Sequence, residues 1–270
     1  MGRHSNHLVE GIDPQLRTEL YPPAEDSGKR PVLLLHGFAS SSQRNWVDTG
    51  WVTFLTAAGH PVITVDLPGH GLSAAPEERD AYSPGRIRAD LLQLLHDVHI
   101  RPLSTRDSSG NEQGVDIIGY SLGARLAWEF GATQPQLVHR MVLGGPGTGD
   151  PLADVDLDAA RKMLTDGELA ADPQTAELMR LIRLLPSNDV FGLLTMIEAA
   201  KIERFTPSEA IPKMPVLLVA GDQDTFAATA PELVRMGPQV ELLRLPGRTH
   251  VNAVTSKAFK EAAAAFLAAE

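Results

Sequence analysis

Ser121, His250 and an aspartate, either Asp222 or Asp224, have the side-chain types that covalent acyl chemistry requires, and each follows a short apolar run. A serine hydroxyl is a poor nucleophile at neutral pH, so it needs a neighbouring base, such as histidine, to take its proton. The base in turn needs a carboxylate that fixes its orientation and stabilises its charged form. These residue types therefore predict an activated serine, provided that the fold brings them together.

Ser121 stands in a segment with the pattern of a sharp strand-to-helix turn. Residues 119–123 read GYSLG and fit Gly-x-Ser-x-Gly, the turn that presents a nucleophilic serine at the top of a parallel sheet. Its glycines leave no Cβ where strand and helix approach each other, and we expect a strained backbone at the serine. The apolar run 115–118 enters the turn, and apolar residues recur after it at helical spacing, at Leu126 and Phe130. This context makes the motif specific.

The acid and the base come from two later segments. An apolar run at 216–220 ends at GDQD, residues 221–224, and the last apolar run is followed by GRTH, residues 247–250. Both segments lie at the carboxyl ends of predicted strands, where open α/β sheets build their sites. The first segment offers two carboxylates, Asp222 and Asp224, and the pattern alone does not choose between them.

Six apolar runs, each ending near a glycine, proline or aspartate, predict strands that are buried on both faces of a parallel sheet. Helical patterns lie between them, and this alternation predicts an α/β fold with a doubly wound, mostly parallel sheet. Residues 147–211 contain helical patterns but no strand pattern, so we expect an inserted helical cap there and a core at 1–146 and 212–270. The strand runs are 32–35, 62–65, 115–118, 141–143, 216–220 and 240–245, and helical patterns outside the cap stand at 51–58, 84–98, 122–130 and 259–267.

The composition limits the kinds of partner. The chain has 270 residues, with 34 acidic and 24 basic side chains and a formal charge of -10. This charge argues against nucleic acid or an anionic membrane as the main partner, because both demand a basic surface. No stretch approaches the ~20 apolar residues of a membrane span, and the polar N-terminus lacks the apolar core of a signal peptide. We expect a cytoplasmic protein whose partner is a small-molecule substrate; the sequence leaves the oligomeric state open.

Signals for cofactors are missing from the sequence. It has no cysteine, which excludes disulfides and thiolate metal sites. It has no acid-histidine cluster with metal-ligand spacing and no glycine-rich nucleotide loop. We therefore predict no metal and no organic cofactor. His4 and His7 stand in a polar terminus that we expect to be frayed, and they suggest no site.

Five segments, in this order, resemble the α/β-hydrolase fold family in its capped, esterase-like branch, over about residues 30–267. The resemblance implies that the second aspartate, Asp224, is the acid that orients His250, and that Asp222 stabilises a turn or is solvated. The segments read HGF at 36–38, DLPGHGLS at 66–73, GYSLG at 119–123, GDQD at 221–224 and GRTH at 247–250.

The resemblance also assigns backbone groups and supporting residues. In this family an oxyanion hole takes one N–H from the residue after the nucleophile, here Leu122, and one from the loop after the third strand, here Phe38. His36 is then expected to support that loop rather than to take part in catalysis. Asp66 and His70 look like a fragment of a metal site, but the resemblance implies a structural role for both.

Arg125 lies one helical turn beyond Ser121. The menaquinone-pathway SHCHC synthase, on the same fold, has a similar elbow that reads Gly-Tyr-Ser-Leu-Gly-x-Arg, and its arginine faces an anionic substrate. That similarity implies a substrate-binding role for Arg125, with a plain surface arginine as the alternative. Arginines of the cap, at 161, 180, 183 and 204, match no motif.

The resemblance implies a serine hydrolase that cleaves a carboxylic ester, or a related acyl or carbon–carbon bond, through a Ser-His-Asp triad and an acyl-enzyme. The apolar cap residues favour a small to medium, largely apolar substrate. The alternatives are a lyase or synthase or a cofactor-free oxygenase on the same triad, and a small-molecule receptor with weak turnover. Haloalkane dehalogenases and epoxide hydrolases are disfavoured, because those branches carry aspartate at the position of Ser121.

Overall fold

The computed structural model describes residues 5–8, 16–25, 27–111, 113–167 and 170–269. Within them eight strands form one sheet with the order β1-β2-β4-β3-β5-β6-β7-β8. Strands β3 to β8 run parallel to one another, and β2 pairs antiparallel with both of its neighbours, β1 and β4. The predicted α/β fold is confirmed. The strands are β1 (Ser5–Leu8), β2 (Arg17–Tyr21), β3 (Val32–Leu35), β4 (Val62–Val65), β5 (Val115–Tyr120), β6 (Val138–Gly144), β7 (Val216–Gly221) and β8 (Val240–Leu245).

Helices cover both faces of the sheet, which explains the uninterrupted apolar runs. In β3, Leu33 and Leu35 belong to one buried apolar cluster, while Val32 and Leu34 belong to a second. Helices α2 and α3 contribute to the first cluster, and α1 and α8 contribute to the second. The helices are α1 (Trp51–Ala57), α2 (Pro84–Asp97), α3 (Leu122–Thr133), α4 (Leu157–Thr165), α5 (Pro173–Leu184), α6 (Val190–Ile202), α7 (Ala230–Met236) and α8 (Lys257–Leu267), with a π-helical turn at Gln43–Val47 and 3-10 turns at Arg79–Tyr82 and Ala253–Thr255.

The register brings the ends of five strands to one edge of the sheet. Leu35 pairs with Gly119, and Tyr120 pairs with Gly144. Gly144 pairs with Val219, and Gly221 pairs with Leu245. The residues that follow these positions therefore emerge side by side, as the carboxyl ends of parallel strands do.

The N-terminal strands differ from the expectation of a frayed terminus. Residues 5–8, which include His7, form β1 and pair with β2, which in turn pairs with β4. The prediction was wrong there because both strands lie at the antiparallel edge and lack the apolar runs that mark the buried strands. His4 lies outside the described residues.

Between β6 and β7 the described residues form helices α4, α5 and α6 and no strand. We call residues 145–215 the helical insertion. Each of its helices begins at an aspartate whose side chain accepts a backbone N–H, as N-caps do. Whether the insertion is a separate domain stays a prediction. No helix among the described residues has both the length and the apolar character to cross a membrane.

Most apolar side chains of the insertion are used in packing. Leu178, Met179, Ile182 and Leu193 are among those buried in the same cluster as α2 and α3. Phe191, with 73% of its surface exposed, is the clearest exception. Most of the apolar cap residues therefore pack the insertion against the core.

Candidate active site

The turn around Ser121 depends on close approach of the backbone on both sides. A Cβ atom added to Gly119 would lie 2.4 Å from the carbonyl oxygen of Gly123, and one added to Gly123 would lie 2.1 Å from that of Leu35. Ser121 itself has φ 54° and ψ -111°, a region that costs a non-glycine residue about 1–3 kcal/mol. Its N–H donates to Gly144 O at 2.9 Å. This backbone conformation turns the chain sharply at the serine, between the end of β5 and the start of α3 at the next residue.

Ser121, His250 and Asp224 form one chain of hydrogen bonds. His250 Nε2 lies 2.9 Å from Ser121 Oγ, and His250 Nδ1 lies 2.8 Å from Asp224 Oδ2. A carboxylate only accepts, so the proton of the neutral imidazole is on Nδ1, and Nε2 is left to accept the serine proton. The Asp224 side chain is fully buried, while His250 keeps 21% of its side chain exposed. The arrangement can move a proton from a serine hydroxyl to an oriented histidine.

The two aspartates of segment 221–224 have different surroundings. Asp224 Oδ1 accepts the Ala227 N–H at 3.1 Å while Oδ2 faces His250. Asp222 is exposed, and its Oδ1 accepts the Gly247 N–H at 2.8 Å. Asp222 therefore ties the turn after β7 to the turn after β8, and Asp224 is the carboxylate that reaches the imidazole.

Three residues around His250 were not singled out from the sequence. The Tyr120 hydroxyl donates to His250 O at 2.5 Å, and the Phe226 ring packs edge-on against the imidazole at a centroid distance of 4.9 Å. Gly145 has φ 65°, and a Cβ added to it would lie 2.8 Å from His250 Cε1. Burial, and next the Asp224 charge, raises the pKa of Tyr120 well above its usual range, so this phenol stays a donor. The Gly144–Gly145 pair after β6 was the available signal, because side-by-side glycines at a strand end often mark close approach.

The β3 loop (residues 36–42) lies directly beside the serine. A Cβ added to Gly37 would lie 3.3 Å from Ser121 Cβ, and the Gly37 N–H is held by Asn45 Oδ1 at 2.8 Å. Among the described residues, the N–H groups of Phe38 and Leu122 have no hydrogen-bond acceptor. Leu122 is the first residue of α3, where helical N–H groups are free to bind an anion.

Two buried histidines hold this loop in place. His36 Nδ1 lies 2.8 Å from Gly37 O, and its Nε2 accepts the Leu67 N–H at 3.0 Å. His70 makes the same pair of contacts, to Pro68 O at 2.9 Å and from the Ala39 N–H at 3.0 Å. Burial lowers the pKa of both rings, that of His70 to about 3. Both rings are therefore neutral, and each links two backbone segments through hydrogen bonds at its two nitrogens.

Asp66 is also occupied by backbone groups. Its Oδ1 accepts the Ser42 N–H at 2.7 Å, and its Oδ2 accepts the Leu72 N–H at 2.9 Å. A Cβ added to Gly71 would lie 2.1 Å from Asp66 Oδ2, so that glycine makes room for the carboxylate. No group of three or more His, Cys, Asp or Glu within the described ranges is arranged to hold a metal ion.

Arg125 forms an ion pair inside the protein. Its Nη1 lies 2.8 Å from Asp150 Oδ1, and the two side chains are 11% and 10% exposed. Asp150 Oδ2 also accepts the Phe205 N–H at 3.1 Å. Burial lowers the pKa of Arg125, and the Asp150 charge opposes that effect. The expected alternative of a plain surface arginine does not describe this side chain, and its substrate-binding role stays a prediction.

The four arginines of the helical insertion also have partners. Arg180 pairs with Glu177 at 2.6 Å, and Arg204 lies 3.7 Å from Asp154. Arg161 pairs with Glu198. Arg183 donates to Met163 O at 2.5 Å. Each of these four guanidinium groups therefore already has a partner within the protein, and none is singled out as a binding group for an anionic ligand.

Comparison with known proteins places these features in context. The profile of the Alpha/beta hydrolase family matches residues 32–265. A 2-hydroxy-6-oxononadienedioate/2-hydroxy-6-oxononatrienedioate hydrolase of Cupriavidus pinatubonensis is 30% identical over 166 residues, which are 58% of this chain and 50% of that protein. A putative 2-succinyl-6-hydroxy-2,4-cyclohexadiene-1-carboxylate synthase of Bacillus subtilis is 33% identical over 114 residues, 42% of this chain and 35% of that protein. The chain thus spans half or less of the length of these relatives.

A solved structure extends the likeness to nearly the whole chain. A hydrolase from Pseudomonas aeruginosa superposes with a TM-score of 0.74 and 21% sequence identity, over 99% of this chain and 99% of that one. At this level of identity the likeness shows the fold, and the chemistry is argued from the site.

Proposed function

The chain belongs to the alpha/beta hydrolase family, and from that premise we propose that it is a serine hydrolase that cleaves a carboxylic ester through an acyl-enzyme. The observation that carries the proposal is the hydrogen-bonded chain from Ser121 Oγ through His250 to the buried Asp224, at 2.9 Å and 2.8 Å. A serine, a base and an orienting acid within hydrogen-bond reach are the structural signature of an activated nucleophile.

Each residue then has a defined task. Ser121 gives its proton to His250 Nε2 as its oxygen attacks the ester carbonyl, and Asp224 stabilises the imidazolium that forms. The Leu122 and Phe38 N–H groups bind the developing oxyanion, and each is worth on the order of 3 kcal/mol of the barrier. The imidazolium returns its proton to the leaving alcohol. Water, activated by the same histidine, then releases the acid product and restores Ser121.

The surroundings of Arg125 favour an ester without an anionic group near the nucleophile. The guanidinium one turn beyond Ser121 is already paired with Asp150 at 2.8 Å, so it offers no unpaired charge to a carboxylate. The Cupriavidus relative is named for a dioate and the Bacillus relative for a carboxylate, and such substrates call for cationic partners. We therefore place this protein with small to medium, largely apolar esters rather than with a synthase or a carbon–carbon hydrolase of anionic substrates.

The test is covalent labelling by a fluorophosphonate, which reacts with activated serines, read by intact-protein mass. We expect one adduct on the wild type, mapped to Ser121, and none on Ser121→Ala or His250→Ala. Turnover of short p-nitrophenyl esters should disappear in the same two variants. The matched control is Ser73→Ala, which removes the hydroxyl of another loop serine outside the proposed triad. A folded wild type that takes no adduct and cleaves no ester would refute the proposal.

A further inference from the structure

The turn between α5 and α6 (residues 185–189) is hydrogen-bonded to two loops at the carboxyl edge of the sheet. Asn188 Nδ2 donates to Ala39 O in the β3 loop at 3.1 Å. The next residue, Asp189, donates its N–H to Gly69 O at 3.1 Å. His70, next to Gly69, accepts the Ala39 N–H at 3.0 Å. These three bonds link the turn of the helical insertion, the β3 loop and the segment around His70 to one another. Through them the insertion contacts Ala39, the residue directly after Phe38.

The contacts of Asn188 indicate that its side chain acts as a hydrogen-bond donor and not as an acceptor. The side chain is 8% exposed, and its Nδ2 faces two carbonyl oxygens, that of Ala39 and that of Ile182 at 3.4 Å. Because only the NH2 end of an amide can donate to carbonyls, these contacts set its orientation. Oδ1 is then left buried without a partner among the described residues. An unpaired buried acceptor lowers stability and so offsets part of what the donated bond to Ala39 O contributes, which leaves the asparagine little net stabilising effect.

Ala39 is a residue whose conformation needs support. It has φ 55°, in the left-handed region that an alanine rarely adopts. Its N–H is held by His70 and its carbonyl by Asn188. The Phe38 N–H shares its peptide plane with Gly37 O, which His36 Nδ1 contacts at 2.8 Å. The bonds of residue 39 hold the peptide units on the other side of Phe38, so rotation at Phe38 is restricted from both sides.

We propose that Asn188 is a positioning residue, through which the helical insertion aims the Phe38 N–H at the oxyanion. The inference rests on the proposed serine hydrolase function and goes beyond it, since it makes an ordered oxyanion hole conditional on the insertion being docked. Docking of the insertion and stabilisation of the transition state are thereby coupled through the hydrogen bond from Asn188 to Ala39.

The experiment compares Asn188→Leu with the wild type in steady-state cleavage of a p-nitrophenyl ester and in the rate of fluorophosphonate labelling. Loss of one oxyanion donor costs about 100-fold to 1000-fold, so its misalignment should lower kcat by about 10-fold to 100-fold. KM should stay within about twofold, because the ground-state ester needs the donor less than the transition state does. The labelling rate should fall together with kcat. Ser187→Ala, in the same turn but exposed, is the matched control and should behave as the wild type.

Thermal melting of each variant separates positioning from folding. Asn188→Leu removes both the donor to Ala39 O and the unpaired Oδ1, so its Tm should stay close to that of the wild type; if it does not fold, Asn188→Ala, which also removes the donor, takes its place. A labelled wild type whose Asn188 variants keep its kcat and labelling rate would overturn this inference alone. A fall in kcat matched by an equal fall in folded fraction, or by an equal change in Ser187→Ala, would also overturn it. A wild type that is never labelled would instead refute the proposed function, and this inference with it.

Discussion

At the scale of single residues, Asp222 and Asp224 differ by what they contact rather than by type. Asp224 is buried against the imidazole, and Asp222 is exposed and holds the Gly247 N–H. We predict that Asp224→Asn lowers kcat for a p-nitrophenyl ester by about ten-thousand-fold, because an amide in that place favours the wrong imidazole tautomer. The check is kcat at pH 7.5 for a variant whose Tm matches that of the wild type.

Asp222→Asn serves as the matched control for that prediction. An asparagine oxygen can still accept the Gly247 N–H, so its kcat should stay within about threefold of the wild type, as for most exposed positions. Equal losses in the two variants would show that the turn as a whole matters, and not the acid at residue 224.

At the scale of elements, the Arg125–Asp150 pair links three parts of the chain. Arg125 belongs to α3, Asp150 to the segment after β6, and Phe205, whose N–H binds Asp150, to the segment before β7. Both ends of the helical insertion are thus fastened to the helix that follows Ser121. Removing one partner of such a buried ion pair is strongly destabilising, because the remaining charge has neither hydration nor a counter-charge.

We predict that Arg125→Met lowers the free energy of unfolding by about 3–5 kcal/mol, measured by urea denaturation. Arg125→Met combined with Asp150→Asn should recover part of that loss, because the neutral amide needs no counter-charge and still accepts the Phe205 N–H. The control is Arg180→Met, which breaks an exposed pair with Glu177 and should lower the free energy of unfolding far less than Arg125→Met does.

The same variants bear on the substrate-binding role expected for Arg125 from the sequence. If the guanidinium serves a bound anion rather than the fold, Arg125→Met should be as stable as Arg180→Met and should lose activity on carboxylate-bearing substrates alone. That result would contradict the structural role argued here.

At the scale of the whole molecule, the parts that the sequence predicts are those with local signals. Buried parallel strands read as continuous apolar runs, and all six predicted runs are strands. Ser121, His250 and the pair Asp222 and Asp224 stood out because each follows a strand end, whereas the choice of Asp224 came from the family resemblance. Strands β1 and β2 were missed because they form the antiparallel part of the sheet and carry no continuous apolar run. Asp150 and Asn188 were missed because their partners, Arg125 and Ala39, lie 25 and 149 residues away in the chain, and no local pattern encodes a contact that only tertiary packing creates.

The stability of the whole molecule should depend on pH through its buried histidines. Burial, and next the neighbouring His36, lowers the pKa of His70 from its usual 6.5 to about 3. The unfolded chain therefore binds a proton at His70 below about pH 6.5, while the folded protein does not until about pH 3. The stabilising contribution of this residue is complete above pH 6.5 and is lost progressively as the pH falls from 6.5 towards 3.

We predict that this residue alone makes the wild type about 2–3 kcal/mol less stable at pH 4.5 than at pH 7.5. The measurement is the free energy of unfolding in urea at both pH values for the wild type and for His70→Gln, whose amide can still donate and accept but does not titrate. The loss between the two pH values should be smaller in His70→Gln by that amount, whatever its absolute stability, because the carboxylates that also protonate are common to both proteins. His96→Gln, at a position whose side chain is 72% exposed, should keep the wild-type loss. An equal loss in the wild type and His70→Gln would mean that His70 titrates alike in the folded and unfolded chains. That result would contradict the burial of a neutral His70 against the β3 loop.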